Sequence, residues 1–302
     1  MSKLRGFCAF AAVFLWAAPA MAAPSVLATI KPVHSLVAAV MQGVGTPELL
    51  IGGALSEHSY ELRPSGARKI EGAAVIFEVG PDLESYLTGP LATLGAHADI
   101  VALEHAPGVR LLPARRGGLW EDGSDPGEGP TDPHCWLDPQ NAIAMTRAIA
   151  AALIKADPAH AAAYSGNAAH QITALGALDK ELASALAPVR SRPYIVFHDA
   201  YHYFETRYGL HPLGAVTVAP DRPVGPRRVE ALRDAIVAGR AACIFREPQF
   251  TPKLIDSLAE GTHVRIGVLD PLGAELAPGP ALYPELMRAL DESLTGCLSK
   301  NR

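Results

Sequence analysis

Apolar positions along this chain alternate between short unbroken runs and stretches that repeat every three to four residues. This is the pattern of buried strands separated by helices. Ser25 to Ile30, Ala73 to Val79 and Ile100 to Leu103 read as strands, with helices over Pro32 to Met41 and Asp82 to Leu94 between them. After Pro139, the positions Ala142, Met145, Ile149 and Leu153 mark a helix that stops before Pro158. From Ala159 a second helix carries Tyr164, Ala168, Gln171, Leu175, Leu178, Leu182 and Leu186 on one face and ends at Pro188. At 1.5 Å per residue it spans roughly 40 Å, long enough to act as a strut. Four more strand-like runs follow (Tyr194 to Phe197, Ala215 to Val218, Ala241 to Phe245, Val264 to Leu269), with helices such as Val229 to Ala238 and Pro252 to Ala259 between them. The pattern predicts an α/β protein: two lobes with mostly parallel sheets flanked by helices, joined by one long rigid helix. The expected boundaries are an N-terminal lobe over 23–158, the connecting helix over 159–187 and a C-terminal lobe over 188–302.

The first 22 residues do not fit either lobe. Lys3 and Arg5 precede an apolar run from Gly6 to Ala18 and then Ala20-Met21-Ala22, the layout of a secretory signal peptide cleaved after residue 22. The run is too short to span a bilayer and no later stretch is long enough, so a periplasmic protein without a transmembrane helix is expected. Losing the leader removes two positive charges and takes the formal charge from −5 to −7, which argues against nucleic acid as a partner. Between Leu112 and Pro133 the sequence turns to Gly, Pro and acids (Glu121, Asp122, Asp125, Glu128, Asp132). It reads as a solvated surface loop, since isolated carboxylates bind transition metals weakly.

Three cysteines follow the leader: Cys135, Cys243 and Cys297. An oxidising compartment allows one disulfide and one thiol, and the pairing stays open from sequence alone. Cys243 with Cys297 is the preferred pair. Cys243 lies in an apolar run and Cys297 is read as following the last helix, so the bond would tie the C-terminus to the second lobe. Cys135 is read as buried packing.

Of eleven histidines, His97, His105, His160, His170 and His263 lack a suggestive context. His34 in Lys31-Pro32-Val33-His34-Ser35 is read equally as a cleft residue or a helix-start residue. Three others sit in distinctive strings: Ser56-Glu57-His58, Asp132-Pro133-His134-Cys135-Trp136-Leu137-Asp138-Pro139, and Val196-Phe197-His198-Asp199. Leu269-Asp270-Pro271-Leu272-Gly273 closes a predicted strand on a carboxylate. Ligands of open α/β sheets collect beyond the carboxyl ends of strands, and three imidazoles with one carboxylate suit tetrahedral zinc. A manganese site would carry more oxygen ligands. The ligands are far apart in sequence, and no C-x-x-C or H-E-x-x-H supplies a local zinc motif.

These strings, with Arg63-Pro64-Ser65, Tyr208-Gly209-Leu210 and Glu247-Pro248-Gln249-Phe250, occur in an order that resembles the ZnuA-like zinc receptors of the cluster 9 (A-I) metal-binding proteins of ABC transporters. The resemblance covers essentially the whole mature chain. It implies one transported Zn2+ per chain, held between the lobes by His58, His134 and His198. Asp270 is expected as the fourth ligand, ahead of Glu57 and of water, and a Cys243–Cys297 disulfide is implied. It further implies a monomeric, non-enzymatic receptor that serves an inner-membrane ABC permease and its ATPase, with a metallochaperone as a further partner. Two features depart from the pattern. The loop before His134 has no histidines, which argues against a second zinc site there, and Cys135 stands next to a ligand. Alternatives are a manganese or iron receptor on the same fold, less favoured a secreted zinc hydrolase with Glu57 as base, and third a metal-dependent surface adhesin, which no sequence feature specifically supports.

Overall fold

The computed structural model describes residues 23–120, 131–218, 220 and 223–299. The expected signal peptide, with Cys8, lies outside them, as do Glu121, Asp122, Asp125 and Glu128 of the acidic loop.

Two four-stranded sheets form, each parallel throughout. The first takes β1 (Val26–Ala28), β2 (Glu48–Leu49), β3 (Val75–Glu78) and β4 (Asp99–Ala102) in the order β2-β1-β3-β4. A two-residue antiparallel ribbon, β5 (Leu112–Pro113) with β6 (Thr131–Asp132), closes the base of the acidic loop. The second sheet takes β7 (Tyr194–His198), β8 (Pro212–Thr217), β9 (Cys243–Arg246) and β10 (Arg265–Val268) in the order β10-β9-β7-β8. Parallel strands require crossovers. In the first half these use α1 (Lys31–Val40), α2 (Pro64–Gly72) and α3 (Thr88–Thr93). Then come α4 (Pro139–Ala156) and the long α5 (Ala161–Leu186), followed in the second half by α6 (His202–Tyr208), α7 (Pro226–Val237), α8 (Lys253–Ala259) and α9 (Leu282–Leu298).

The expected strut is present. α5 has 26 residues and is extended by 3₁₀ turns over Pro158–His160 and Ala187–Val189. Its buried face is the predicted one, from Tyr164 to Leu186. Strand alternation is clearest in β7, where Tyr194 and Val196 join the main core while Ile195 and Phe197 join a second cluster with Val216, Leu232, Ile236 and Leu258. The main core runs without a break from β1 and α1 through α4 and α5 to α9.

Three expectations change. The helix over Asp82 to Leu94 is a 3₁₀ turn at Ser85–Leu87 and then the short α3. Pro90 cannot donate a backbone hydrogen bond, so it is tolerated only in a first helical turn, and a helix starting at Asp82 would bury it mid-helix. Cys297 lies in the last turn of α9 rather than beyond it. Helices α2 and α6 were not anticipated. α2 buries only Gly66 and Ile70, too few for a visible repeat, and α6 has seven residues, stopped by Gly209 at φ +65°.

Cys243 and Cys297 are bonded, with Cα atoms 6.4 Å apart and a sequence separation of 54, and Cys135 is free and buried. A loop of that length contributes about 4 kcal/mol by the chain-entropy model.

Candidate metal centre

Three of the anticipated residues meet between the two sheets. His58 lies in the loop between β2 and α2, where its backbone N–H donates to Ser56 Oγ at 3.2 Å. His134 follows β6, and His198 ends β7. Glu57, the neighbour of His58, completes the group: one donor atom from each of Glu57, His58, His134 and His198 lies within 4.8 Å of the others. The first sheet's half of the chain supplies three of them and the second supplies His198.

The spacing is that of a coordination polyhedron. His134 Nε2 is 3.2 Å from His58 Nε2 and 3.3 Å from His198 Nε2. A tetrahedron with Zn–N bonds of about 2.0–2.1 Å has edges of about 3.3–3.4 Å. Glu57 Oε1 stands 3.7 Å from His58 Nε2 and 3.9 Å from His134 Nε2.

Behind these side chains, carboxylates decide which ring nitrogen faces inward. His134 Nδ1 is 2.8 Å from Asp132 Oδ1, and the His134 backbone N–H donates to the same oxygen at 3.0 Å. His198 Nδ1 is 2.6 Å from Glu247 Oε2, and its backbone N–H donates to Glu247 Oε1 at 3.3 Å. With Nδ1–H donating to a carboxylate, Nε2 is the atom of each ring that presents a lone pair to the centre once the ring is neutral, the tautomer that a metal needs. Asp132 Oδ2 also approaches His202 Nδ1 at 3.4 Å. Trp136 packs on His134 and Phe250 on His198, with ring centroids 5.3 and 6.1 Å apart.

The electrostatics call for a cation. Glu57 is fully buried and neither of its oxygens has a hydrogen-bond partner, a costly state for a carboxylate unless positive charge adjoins it. Burial pushes its carboxyl pKa up, against the pull of His198 and His134. Burial, helped by the neighbouring imidazoles, holds His58 well below the usual histidine range. Burial also opposes charge on His198, yet Glu247 outweighs it and raises this group to about 9. Asp132 is buried too, but its hydrogen bonds from His134, with the His202 ring nearby, hold it below the usual carboxylate range.

The structure brings Glu57, not Asp270, to the three histidines. Asp270 Oδ1 accepts from Gln249 Nε2 at 2.8 Å and from the backbone N–H groups of Leu272 and Gly273 at 3.0 Å, while Oδ2 accepts from Ala274 N–H. A carboxylate committed to four donors has little left for a metal. His34 points elsewhere, its Nε2 3.1 Å from Pro47 O at the start of α1. Asp132, Glu247 and His202 were not anticipated in these roles. The signal was present for two of them: Asp132 stands two residues before His134 and Glu247 opens the Glu-Pro string, but nothing local says which histidine each supports.

Two sheets of parallel strands bridged by one long helix, with a buried His3Glu cluster between them, define a helix-linked two-lobed metal-receptor fold. The same fold occurs in solved structures: a zinc-bound 138–173 deletion mutant of ZnuA (TM-score 0.79, 23% identity, 93% of this chain and 100% of that one) and the periplasmic zinc-binding protein TroA from Treponema pallidum (TM-score 0.79, 20% identity, 92% and 100%). Residues 26–297 match the ZnuA family, described as zinc-uptake complex component A, periplasmic. Among curated relatives, the high-affinity zinc uptake system protein ZnuA of Brucella suis is 45% identical over 97% of both chains. That of Paracoccus denitrificans is 38% identical over 91% of this chain and 92% of the relative. The chain belongs to the ZnuA family of zinc-uptake binding proteins.

Proposed function

We propose that this protein is a periplasmic receptor that captures one Zn2+ per chain at His58, His134, His198 and Glu57 and delivers it to an inner-membrane ABC permease driven by its ATPase. Residues 1–22 act as the export signal, and the mature chain works as a monomer that a metallochaperone can load. Among the described residues no helix is long and apolar enough to cross a membrane. The observation that carries the reading is the orphaned carboxylate of Glu57 beside three imidazoles, with His134 Nε2 at tetrahedral-edge distance from the Nε2 atoms of both His58 and His198. Nitrogen-rich, four-coordinate donors favour zinc over manganese, which takes more oxygen ligands, and Asp270 is engaged elsewhere. Family membership supports zinc as the cargo and a permease as the recipient. Calorimetric titration of the mature protein should give one tight zinc equivalent that survives a large excess of manganese. A protein that takes up no zinc tightly, or that prefers manganese, sinks the reading.

A further inference from the structure

The turn that opens at Asp270 does more than leave the metal centre. It follows β10, so it is covalently part of the second lobe, yet much of its polar surface is held by the first. Lys31, only 3 % exposed, sits where β1 gives way to α1. Its ammonium donates to the carbonyl oxygens of Gly273 and, at 2.8 Å, of Ala274. Trp136 Nε1 donates to Pro271 O at 3.0 Å. Ten residues further along, Ser35 Oγ donates to Pro280 O at 3.2 Å and accepts the backbone N–H of Tyr283 at 2.9 Å, while Tyr283 Oη donates to Trp136 O at 2.7 Å.

The turn keeps its shape because Asp270 accepts three of its own backbone N–H groups and because Gly273 adopts φ +68°, a conformation that favours glycine. Its carboxylate also gives the buried ammonium of Lys31 a counter-charge, opposing the effect of burial.

Each end of this assembly touches one side of the metal centre. On the first-lobe side, Trp136 both holds Pro271 and packs on His134. On the second-lobe side, Asp270 accepts from Gln249, which stands between Glu247, the hydrogen-bond partner of His198, and Phe250, which packs on the same ring. The route from His134 to His198 therefore runs through Trp136, the 270–274 turn and Gln249, and on through its sequence neighbour Phe250, which packs on the His198 ring. We propose that Lys31 and Asp270 are positioning residues: they lock the 270–274 turn as a clasp between the lobes and so set the separation at which His134 and His198 meet the metal. Release of the metal then requires the clasp to loosen, because the lobes cannot part while a buried ammonium and its carbonyl partners stay joined. This inference rests on reading the cluster as the metal site.

The test is Lys31→Met in the otherwise intact mature protein. Losing a charge-assisted interaction of this kind should speed zinc transfer to a chromophoric chelator by about 10- to 100-fold. The cobalt(II)-loaded variant should keep a tetrahedral visible spectrum, since all four ligands remain. Spin labels on Glu71→Cys in α2 and Glu230→Cys in α7 should report a broader interlobe distance distribution in the metal-free variant than in the metal-free parent. Lys31→Arg, which keeps charge and donors, should move both readouts back towards the parent, whereas a merely structural loss of packing would not be rescued by charge. If Lys31→Met does not fold, Gln249→Ala, which cuts the clasp from its second-lobe side, must change both readouts in the same direction. Unchanged transfer rate and unchanged distances overturn the clasp. A parent protein that binds neither zinc nor cobalt overturns the metal-site reading, and the metal-free distance comparison still decides the clasp.

Discussion

Glu57 and Asp270 are two carboxylates that both follow strands of parallel sheets, and they have opposite surroundings. Glu57 is completely buried and neither oxygen is hydrogen-bonded, while a nitrogen of each of three imidazoles lies within 4.8 Å. Asp270 is half-buried and accepts four hydrogen bonds, three from the backbone of its own turn. A carboxylate acts as a ligand when its lone pairs are left over, and as a brace when they are used. Residue type and position after a strand are alike in the two cases, so the hydrogen-bond inventory makes the distinction.

The largest expected effect comes from removing a ligand. Structural zinc sites bind with apparent energies of about 10–16 kcal/mol, or roughly 2.5–4 kcal/mol per ligand of four, so His198→Ala should cost about 100- to 1,000-fold in zinc affinity by competition titration. Glu57→Ala should fall in the same class. Asp270→Ala should not, and a loss of the same size there would erase the contrast between the two carboxylates.

Next comes pH. His198 rises to about 9 because of Glu247, above its ordinary 6.5. Its contribution to the stability of the metal-free protein is therefore complete below about 6.5 and lost as pH rises through about 9, some 3 kcal/mol at most. Zinc must displace that proton, so apparent affinity should climb about tenfold per pH unit up to about 9 and then level off. A flat profile between pH 7 and 9 would show that His198 carries no such proton.

The supporting carboxylates come third. Glu247→Ala leaves every ligand in place but frees the His198 ring, with an expected loss of about 10- to 100-fold in zinc affinity. Wild-type affinity would mean that packing by Phe250 is enough to hold the ring.

The smallest effect is the most diagnostic, because its sign differs between the two acids. Glu57→Gln relieves a buried, unpartnered charge, so the metal-free protein should melt at a higher temperature even as zinc binding weakens. Asp270→Asn sets an amide N–H₂ against backbone donors and should lower the melting temperature by the equivalent of about 1–3 kcal/mol. Calorimetric melts of the two metal-free variants decide it, and a shift in the same direction for both would remove the distinction.

Much of the fold could be read from the chain. β7, β9 and α5 announce themselves through unbroken apolar runs or a sustained helical repeat, because each is buried on a wide face. α2 leaves no repeat in the sequence because it buries a single large apolar side chain, and α3 is shorter than its apolar pattern because Pro90 must lie in a first helical turn. In the site, the histidines were legible from their strings, and the pairing of Cys243 with Cys297 was anticipated. Asp-Pro-Leu-Gly is the composition of a turn in which the aspartate accepts backbone N–H groups two and three residues on, and the structure contains that turn.

The sequence by itself determined what depends on neighbours along the chain: the α/β alternation, the long helix between the sheets, the three histidines in suggestive contexts and the turn chemistry at Asp270. Tertiary structure decided what depends on residues scores of positions apart. It placed Glu57 among the imidazoles, gave Glu247 to His198, and set Lys31 against Gly273 across 242 residues. Local propensity sets φ and ψ, whereas a lone pair's partner is chosen only when separate elements pack. Packing left Glu57 without donors and surrounded Asp270 with them.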